Sequence, residues 1–407
     1  MGKSEYLAAL REAFGELRKW EGKELVLVHH NDADGLSSAA VLGAALSRAG
    51  FAVRRIPLER VHPPINRRIH DLHAGTPIIY VDLGARAAPM IAEVNRGRSL
   101  TFIVDHHLAE GTDDPAVFNL STELFGLSGE REISAATAAW LAALTLDPDN
   151  RDLAYLGVVG AIGDSHERGG RLVGENREAL EEAISRGEVA VGTADGRETY
   201  ALVKFGPEIP LKRFAKSLTT LGAAGYAMGG PDIAVRALLE GPSEEFEGKL
   251  RELEALKRER FELMIGRLRA GELKKTEHIQ WFSVGDGFAP MGVKIVGEFC
   301  MEIRDADFVD PGRYIAGFQD MPTEIPGLGV FEWDLVKISM RVPSPLEERI
   351  VAGEMPGLAW LLPEAAKRVG GSIDACHDYA AASLIPRGRE AALIHAMDEL
   401  VAGKVPR

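Results

Sequence analysis

The chain has 407 residues, of which 46% are apolar and 27% are charged, and its formal net charge is −14. This length favours two or three domains, and the composition is typical of a globular protein without a membrane span, since no run approaches about 20 apolar residues. The acidic balance argues against a broad basic surface for nucleic acid, because phosphate backbones are bound by Lys and Arg. Contacts with nucleic acid should therefore be local, short, or assisted by metal ions or a partner.

Residues 1–18 have the apolar spacing of a charged amphipathic helix and do not resemble a secretory signal. The two cysteines, Cys300 and Cys376, are too few for a disulfide framework. Both features predict a cytoplasmic protein in which each cysteine is a buried thiol.

Between residues 24 and 186, short apolar strands alternate with helices, an order typical of βαβ units and a parallel sheet. The predicted strands are 25–28, 51–56, 78–81 and 100–105, and the predicted helices are 36–49, 86–97, 134–146 and 153–162.

Beyond this region the periodicity weakens before a second α/β pattern begins. Residues 187–241 are rich in Gly and Pro and indicate a connector with short helices, followed by a long charged helix at 243–270. The predicted strands of the second pattern are 279–283, 313–318, 335–340 and 381–385, with helices at 291–301, 358–368 and 387–401. We therefore predict an α/β protein with a parallel-sheet domain at 1–190, a helical connector at 191–275 and a smaller α/β domain at 276–407.

Carboxylates and imidazoles follow three of the predicted strands in the first domain. Asp32 and Asp34 follow the first strand, Asp82 follows the third, and an Asp-His-His triplet occupies 105–107. Because ligands bind outside the carboxyl ends of parallel strands, we expect these side chains to share one crevice. So many oxygen and nitrogen ligands would repel one another without a cation, so the pattern predicts a metal site.

A fourth segment adds to this prediction. Asp164 follows a helix of small residues that ends Gly160-Ala161-Ile162-Gly163, and small residues would let the backbone pack closely against the site. Imidazoles such as those of His106 and His107 suit Mn, Fe, Co or Zn better than Ca. Each motif alone is a weak signal, but the order of the four segments predicts one metal centre.

These motifs resemble those of the DHH phosphoesterase superfamily. The segment His-Asn-Asp-Ala-Asp-Gly at 30–35 is similar to the first motif, Val81-Asp82 to the second, Asp105-His106-His107 to the third, and Ala161–Asp164 to the fourth. The C-terminal part is similar to the DHHA1-type accessory domain of the RecJ branch, at 337–341, from Gly370-Gly371 to His377, and at 385–387. Within the superfamily the chain looks most like archaeal RecJ-like exonucleases.

The resemblance implies a site for two divalent cations, of which Mn is favoured over Mg or Co. One cation would be held by His30, Asp32 and Asp82. The second would be held by Asp34, His106, Asp164 and again Asp82, which would bridge the two. His29 is an alternative to His30 as a ligand.

The resemblance also implies roles around the substrate. His107 would face the scissile phosphate, and Asp105 would orient a neighbouring imidazole. In the second domain, Arg341, His377, Gly370 and Gly371 would bind a substrate phosphate or terminal nucleotide. The sequence departs from the family pattern at Ala375, Cys376 and Ala382, where glycines are common, and the added Cβ atoms would limit how closely backbone N–H groups approach a phosphate.

The implied function is a metal-dependent phosphodiesterase, most simply a single-strand exonuclease or short-oligonucleotide nuclease that releases mononucleotides during DNA repair. One alternative is a phosphoesterase for a small or cyclic dinucleotide, since the acidic charge and the 7% aromatic content favour short substrates. Another is a non-catalytic scaffold subunit of a replication or repair assembly, and a third is an active nuclease delivered by a helicase or replication partner.

Expected partners are single-stranded DNA or RNA or short oligonucleotides, with no membrane, and a homo-oligomer is compatible with the sequence. The polarity of digestion and the preference for DNA or RNA stay open.

Overall fold

The structure is a computed structural model that describes residues 2–403, and for residues 373–375 it describes the backbone alone. The chain divides into two compact units. Unit 1 runs up to Arg251 and includes Pro326–Leu328, and unit 2 comprises Glu252–Ile325 and the chain from Gly329 onward. The three-part division at residues 190 and 275 stays a prediction.

Unit 1 is built on a five-stranded parallel sheet in the order β2-β1-β3-β4-β5. Its strands are β1 (Glu24–His30), β2 (Ala52–Leu58), β3 (Ile78–Val81), β4 (Thr101–Asp105) and β5 (Val117–Ser121). All residues of β3 and β4 are buried, as expected for strands covered on both faces, which is why each reads as an unbroken apolar run.

Ten helices accompany this sheet in the described part of the chain. They are α1 (Lys3–Arg18), α2 (Ala33–Arg48), α3 (Pro63–Leu72), α4 (Ala88–Asn95), α5 (Ala135–Leu146), α6 (Ala154–Gly163), α7 (Gly174–Ser185), α8 (Leu211–Ala223), α9 (Gly230–Glu240) and α10 (Glu244–Arg267), the last of which continues into unit 2. Helices α2, α5 and α6 pack against one another and are buried almost all round, so their sequences are rich in Ala, Gly and Leu.

The segment predicted as a helical connector contains α8, α9 and α10, and it also contains a sheet that the sequence analysis did not predict. Strands β6 (Val189–Ala194), β7 (Arg197–Leu202) and β8 (Ile209–Pro210) form a three-stranded antiparallel sheet. Five of the six residues of β6 are exposed, so the strand lacks the alternation of apolar and polar residues by which strands are usually recognised.

Unit 2 contains a six-stranded mixed sheet in the order β15-β16-β14-β11-β10-β9, in which β10 and β11 are parallel and the other neighbours are antiparallel. The strands are β9 (Lys274–Lys275), β10 (Ile279–Gly285), β11 (Tyr314–Asp320), β14 (Leu335–Arg341), β15 (Ser372–Cys376) and β16 (Ala380–Pro386), and a separate hairpin joins β12 (Glu324–Ile325) to β13 (Gly329–Val330). The helices are α11 (Ile295–Ile303), α12 (Ser344–Val351), α13 (Leu358–Arg368) and α14 (Glu390–Gly403).

Successive residues of β11 face opposite sides of this sheet. Ala316 and Phe318 lie in the core formed with α13 and α14. Gly317 lies against α11, where a Cβ atom would come within 2.8 Å of Cys300 Sγ. The predicted α/β architecture, with a parallel sheet followed by a smaller α/β unit, is confirmed. Among the described residues, no helix has the length and apolar character needed to cross a bilayer.

Candidate metal centre

The ends of β1, β3 and β4 bring the predicted side chains of unit 1 to one edge of the parallel sheet. Asp82 follows β3 directly and lies at the middle of this edge, with 3% of the residue exposed. Its backbone has φ +60°, a left-handed conformation that residues other than Gly rarely adopt. Such residues persist where their surroundings fix them, and they concentrate at functional sites.

A first group of potential ligands surrounds one oxygen of Asp82. The Nδ1 atom of His30 lies 2.8 Å from Asp32 Oδ2 and 3.2 Å from Asp82 Oδ2. Asp32 also caps α2, because its Oδ1 atom accepts a hydrogen bond from the Gly35 N–H group at 3.1 Å. Ligand atoms of these three residues all lie within 4.8 Å of one another, so they could hold one cation.

His29 is not part of this group. Its Nδ1 atom is 2.7 Å from the His30 carbonyl oxygen, and the residue is 1% exposed. Burial lowers the pKa of His29 to about 4, so the ring is neutral. Between the two alternatives, the geometry favours His30 because neighbouring residues of a strand point to opposite faces.

A second group surrounds the other oxygen of Asp82. The Nε2 atom of His106 lies 3.4 Å from Asp82 Oδ1, 3.3 Å from Asp164 Oδ2 and 3.9 Å from Asp34 Oδ2. The Nδ1–H group of His106 donates to the Gly129 carbonyl oxygen at 2.6 Å, which leaves the lone pair of Nε2 facing the carboxylates. Among the described residues, no donor offers a hydrogen bond to this buried Nε2 atom when the imidazole is neutral. A bound cation would supply the missing partner for its lone pair.

Asp34 is held at the start of α5. Its Oδ2 atom accepts from the Ala135 N–H group at 2.8 Å and its Oδ1 atom accepts from the Ala136 N–H group at 2.9 Å. A helix N-terminus favours an anion, which suits an ionised carboxylate in this position. Burial nevertheless raises the pKa of Asp34 well above its usual range, and the nearby charges of Asp164 and Asp82 raise it further.

The same crowding affects the other groups around Asp82. Burial raises the pKa of Asp164 to about 6, with His106 opposing the rise and Asp82 adding to it. The pKa of His106 is well above its ordinary value because, although burial lowers it, the surrounding carboxylates outweigh that effect. Protons therefore compensate the charge in this cluster, and divalent cations would do so more directly. The donor set of carboxylates and imidazoles fits Mn, Fe, Co or Zn.

Asp105 and His107 form a pair beside these groups. Asp105 is 1% exposed, and its Oδ1 atom accepts from His107 Nδ1 at 2.7 Å and from the His106 N–H group at 2.8 Å. Burial would raise the pKa of Asp105, but His107 and the hydrogen bonds hold it below its usual range. Burial likewise lowers the pKa of His107, but Asp105 outweighs this and raises it. Asp105 therefore lies where it could orient the His107 ring, and its role stays a prediction.

A histidine that was not predicted from the sequence also lies here. A ring nitrogen of His166 is within 4.8 Å of ligand atoms from His106 and Asp164. Its position two residues after Asp164 was the available signal, but a single His after a helix is a weak one.

The predicted residues of unit 2 divide into two places. Arg341 ends β14 opposite Ala380, and the His377 N–H group donates to the Ala380 carbonyl oxygen at 2.8 Å, so both residues lie at one end of the sheet. The Nη1 group of Arg341 donates to the Met340 carbonyl oxygen at 2.8 Å, whereas its buried Nε–H group has no hydrogen-bond partner among the described residues. Burial lowers the pKa of Arg341.

Gly370 and Gly371 lie next to the start of β15, where Ser372 pairs with Leu384, and not beside Ala380. A Cβ atom on Gly371 would lie 2.8 Å from the Leu384 carbonyl oxygen, so close packing accounts for this glycine. The structure does not bring these glycines to Arg341, and their substrate role stays a prediction. The Ala375 side chain lies outside the described residues, and Cys376 Sγ is 3.7 Å from the Ala382 carbonyl oxygen.

Comparison with known families agrees with the geometry of unit 1. Residues 24–157 match the N-terminal domain of the DHH family. The matched residues contain three of the four motif segments, and the fourth, at 161–164, follows directly after them. This region is therefore similar to the DHH-family domain, and the fold of the chain is similar to that of RecJ.

Three solved structures share this fold. RecJ from Thermus thermophilus in complex with Mn²⁺ is 19% identical with a TM-score of 0.63, and the match covers 97% of this chain and 55% of that one. An exonuclease RecJ bound to manganese is 19% identical with a TM-score of 0.61, covering 97% and 95%. CDC45 from Entamoeba histolytica is 11% identical with a TM-score of 0.58, covering 98% and 99%.

One curated relative is an uncharacterised protein from Methanocaldococcus jannaschii. It is 27% identical over 162 residues, which are 39% of this chain and 36% of that protein. The chain thus matches about a third of this relative and spans about half the length of the Thermus RecJ.

Replacing Gly160 by Ala should damage the centre without removing a ligand. A Cβ atom there would lie 2.1 Å from Asp34 Oδ1 and 2.4 Å from the Ala136 Cβ atom, so Asp34 must move away from the start of α5. We expect Mn²⁺ binding to weaken about tenfold or more, as measured by isothermal titration calorimetry. The matched control is Gly43→Ala in α2, where the new Cβ atom would meet only Leu27 Cδ2 at 3.8 Å. Equal Mn²⁺ affinity in the two variants would contradict the packing argument.

Mn²⁺ affinity should also depend on pH. Asp164, with a pKa raised to about 6, is largely protonated below that pH, and Asp34 and His106 also bind protons more tightly than usual. A cation must displace these protons, so affinity should fall as the pH is lowered from about 8 to about 5.5. Calorimetry in buffers of different ionisation enthalpy should show proton release on binding. An affinity that is constant over this range would show that the cation binds elsewhere.

Proposed function

We propose that this protein is a divalent-cation-dependent phosphodiesterase that hydrolyses single-stranded oligonucleotides from an end and releases mononucleotides. The observation that supports this most is the position of Asp82 between two ligand groups. Its Oδ2 atom lies 3.2 Å from His30 Nδ1, and its Oδ1 atom lies 3.4 Å from His106 Nε2. A carboxylate with one oxygen in each group can bridge two cations.

The residues of each group fit one cation. The first would be held by His30, Asp32 and Asp82, and the second by Asp34, Asp82, His106 and Asp164. Cations bound there would act as Lewis acids toward the phosphate oxygens and lower the pKa of the attacking water. Mn is favoured because of the mixed oxygen and nitrogen ligands, and two RecJ structures of similar fold contain it.

His107 would stabilise the charge that develops on the phosphate. Its Nδ1–H group donates to Asp105, and the raised pKa of His107 favours the imidazolium form, whose Nε2–H group is a further donor. A fixed cationic donor beside a reacting phosphate stabilises the transition state. Asp105 holds the ring in orientation and keeps its own negative charge.

Arg341 would provide a second contact with the substrate. Its guanidinium is buried, and its Nε–H group has no hydrogen-bond partner within the described part of the chain, a costly arrangement that a phosphate oxygen would relieve. His377 lies at the same end of the sheet. The net charge of −14 favours short oligonucleotides over long strands, since long strands need extended basic grooves.

A second candidate function is a scaffold without catalytic activity. The likeness in fold to CDC45, which covers nearly the whole length of both chains, supports this candidate. The hydrolase is favoured instead by the convergence around Asp82 of five potential ligands and one donor, which are His30, Asp32, Asp34, His106, Asp164 and His107. A small or cyclic dinucleotide as substrate is the alternative within the hydrolase class.

The test is hydrolysis of end-labelled DNA and RNA ladders, from dinucleotide to about 30-mer, in the presence of Mn²⁺, Mg²⁺ or Co²⁺. We expect stepwise release of mononucleotides by the wild type and a loss of about 1,000-fold or more in Asp82→Ala, since both ligand groups lose a member. Asp71→Ala is the control, because Asp71 is an exposed surface residue paired with Arg98. No cleavage by the wild type with any cation would support the scaffold, and equal cleavage by Asp82→Ala would show that the activity does not depend on the proposed centre. Cleavage of cyclic dinucleotides alone would support the small-substrate alternative.

Arg341→Ala should separate substrate binding from chemistry. Loss of a charged phosphate contact should raise KM for a labelled oligonucleotide about tenfold to a hundredfold. Hydrolysis of bis(4-nitrophenyl) phosphate, which is too small to need a second contact, should be unchanged. Arg368→Ala is the control, since Arg368 is half-exposed and pairs with Glu399 on the surface of unit 2. Equal losses on both substrates would assign Arg341 to the stability of unit 2 instead.

A further inference from the structure

His166 lies beside the second ligand group and has a different chemical state from His106. It begins a short 3-10 turn, His166–Gly169, and 6% of the residue is exposed. Its ring centre is 5.8 Å from that of His106, and one ring nitrogen is within 4.8 Å of ligand atoms from His106 and Asp164. Position alone would suggest a further cation ligand.

The hydrogen bonds of Asn176 exclude that role. The Oδ1 atom of Asn176 accepts from the Ser134 N–H group at 3.0 Å and from the Thr137 hydroxyl at 2.7 Å. A backbone N–H group can only donate, so Ser134 fixes the orientation of the Asn176 amide. The Nδ2 group of Asn176 consequently faces the Nδ1 atom of His166, at 2.8 Å.

An amide nitrogen donates and does not accept, so the Nδ1 atom of His166 accepts this hydrogen bond with its lone pair. In a neutral imidazole the proton then sits on Nε2. Neither nitrogen has a lone pair left for a cation. His106 is the reverse, because its Nδ1–H group donates to the Gly129 carbonyl oxygen, so a cation that displaces the proton on Nε2 would find a lone pair there.

We propose that His166 is a neutral hydrogen-bond donor to a phosphate oxygen of the substrate and not a cation ligand. Among the described residues, no hydrogen bond joins His166 to His106 or to Asp164, so its Nε2–H group is available to a third partner. An anionic oxygen is the acceptor that suits an N–H donor next to a cation-binding group. The identity of the acceptor as a substrate phosphate rests on the proposed function. The position of the proton on Nε2 of His166 does not.

Asn176→Asp tests the position of the proton directly. The carboxylate can still accept from Ser134 and Thr137, but its second oxygen cannot donate to His166. His166 must then carry a proton on Nδ1, either as the other neutral tautomer or as an imidazolium. Asn150→Asp is the matched control, since Asn150 is also a buried Asn, at the other end of α5, with hydrogen bonds to Arg48 and Ala143.

The first measurement is a long-range ¹⁵N–¹H correlation spectrum of the metal-free chain labelled at histidine. The signals of His166 are identified as those lost in His166→Gln. We expect a proton on Nε2 in the wild type and in Asn150→Asp, and a proton on Nδ1 in Asn176→Asp. A wild-type proton on Nδ1 would overturn the proposal.

The second measurement compares Mn²⁺ affinity and hydrolysis in His166→Phe and His166→Gln, after thermal unfolding confirms that both are folded. Mn²⁺ affinity should stay within about twofold of the wild type in both variants. The kcat should fall about a hundredfold in His166→Phe, which lacks the donor, and recover to within about tenfold in His166→Gln, whose amide restores one.

A tenfold loss of Mn²⁺ affinity in both His166 variants would make His166 a ligand, and an unchanged kcat in His166→Phe would remove its role as donor. Absence of hydrolysis by the wild type overturns the proposed function and the phosphate acceptor with it. Even then, the spectra show which nitrogen of His166 carries the proton, and the Mn²⁺ titrations show whether His166 is a ligand. Failure of the proposed function is therefore distinguishable from failure of the inference about His166.

Discussion

Repulsion between crowded carboxylates, of which Asp34 and Asp82 are buried and Asp164 is partly buried, is the interaction on which the rest of unit 1 depends. Oxygens of Asp34, Asp82 and Asp164 all lie within 3.9 Å of one imidazole nitrogen. Charges this close cannot all remain ionised in a buried volume without compensation, which is why burial and mutual repulsion raise the pKa of Asp34 and Asp164. The parallel sheet brings the groups together, and the small residues of α6 leave the space in which they meet.

Backbone groups then decide what each side chain can do. A carbonyl oxygen at Nδ1 makes His106 a donor on that side, and the predicted role of its Nε2 atom as a ligand requires this state. A side-chain amide at Nδ1 gives His166 the opposite state. The start of α5 supplies two N–H groups to Asp34, and Asp105 orients His107. The chemistry of the centre is therefore set by hydrogen bonds that lie behind the reactive atoms.

Much of this could be predicted because strand ends and motif spacing are properties of the sequence. Asp82 and the triplet at 105–107 follow apolar runs, so their convergence followed from the rule for parallel sheets. The choice between His29 and His30 depends on the pleat of β1, which composition does not reveal. The reason for a glycine at 371 is its packing against Leu384, and the tautomer of His166 depends on its hydrogen bond with Asn176. Both are three-dimensional contacts that the sequence does not show. The exposed strand β6 lacked the periodic pattern from which a strand is recognised.

Anomalous diffraction from crystals grown with Mn²⁺ tests the central claim most directly. The account predicts two manganese peaks about 3.5–4 Å apart on either side of the Asp82 carboxylate. One peak should lie beside His30 and Asp32, and the other beside His106 and Asp164. A map that lacks a peak on either side of Asp82 would contradict the account.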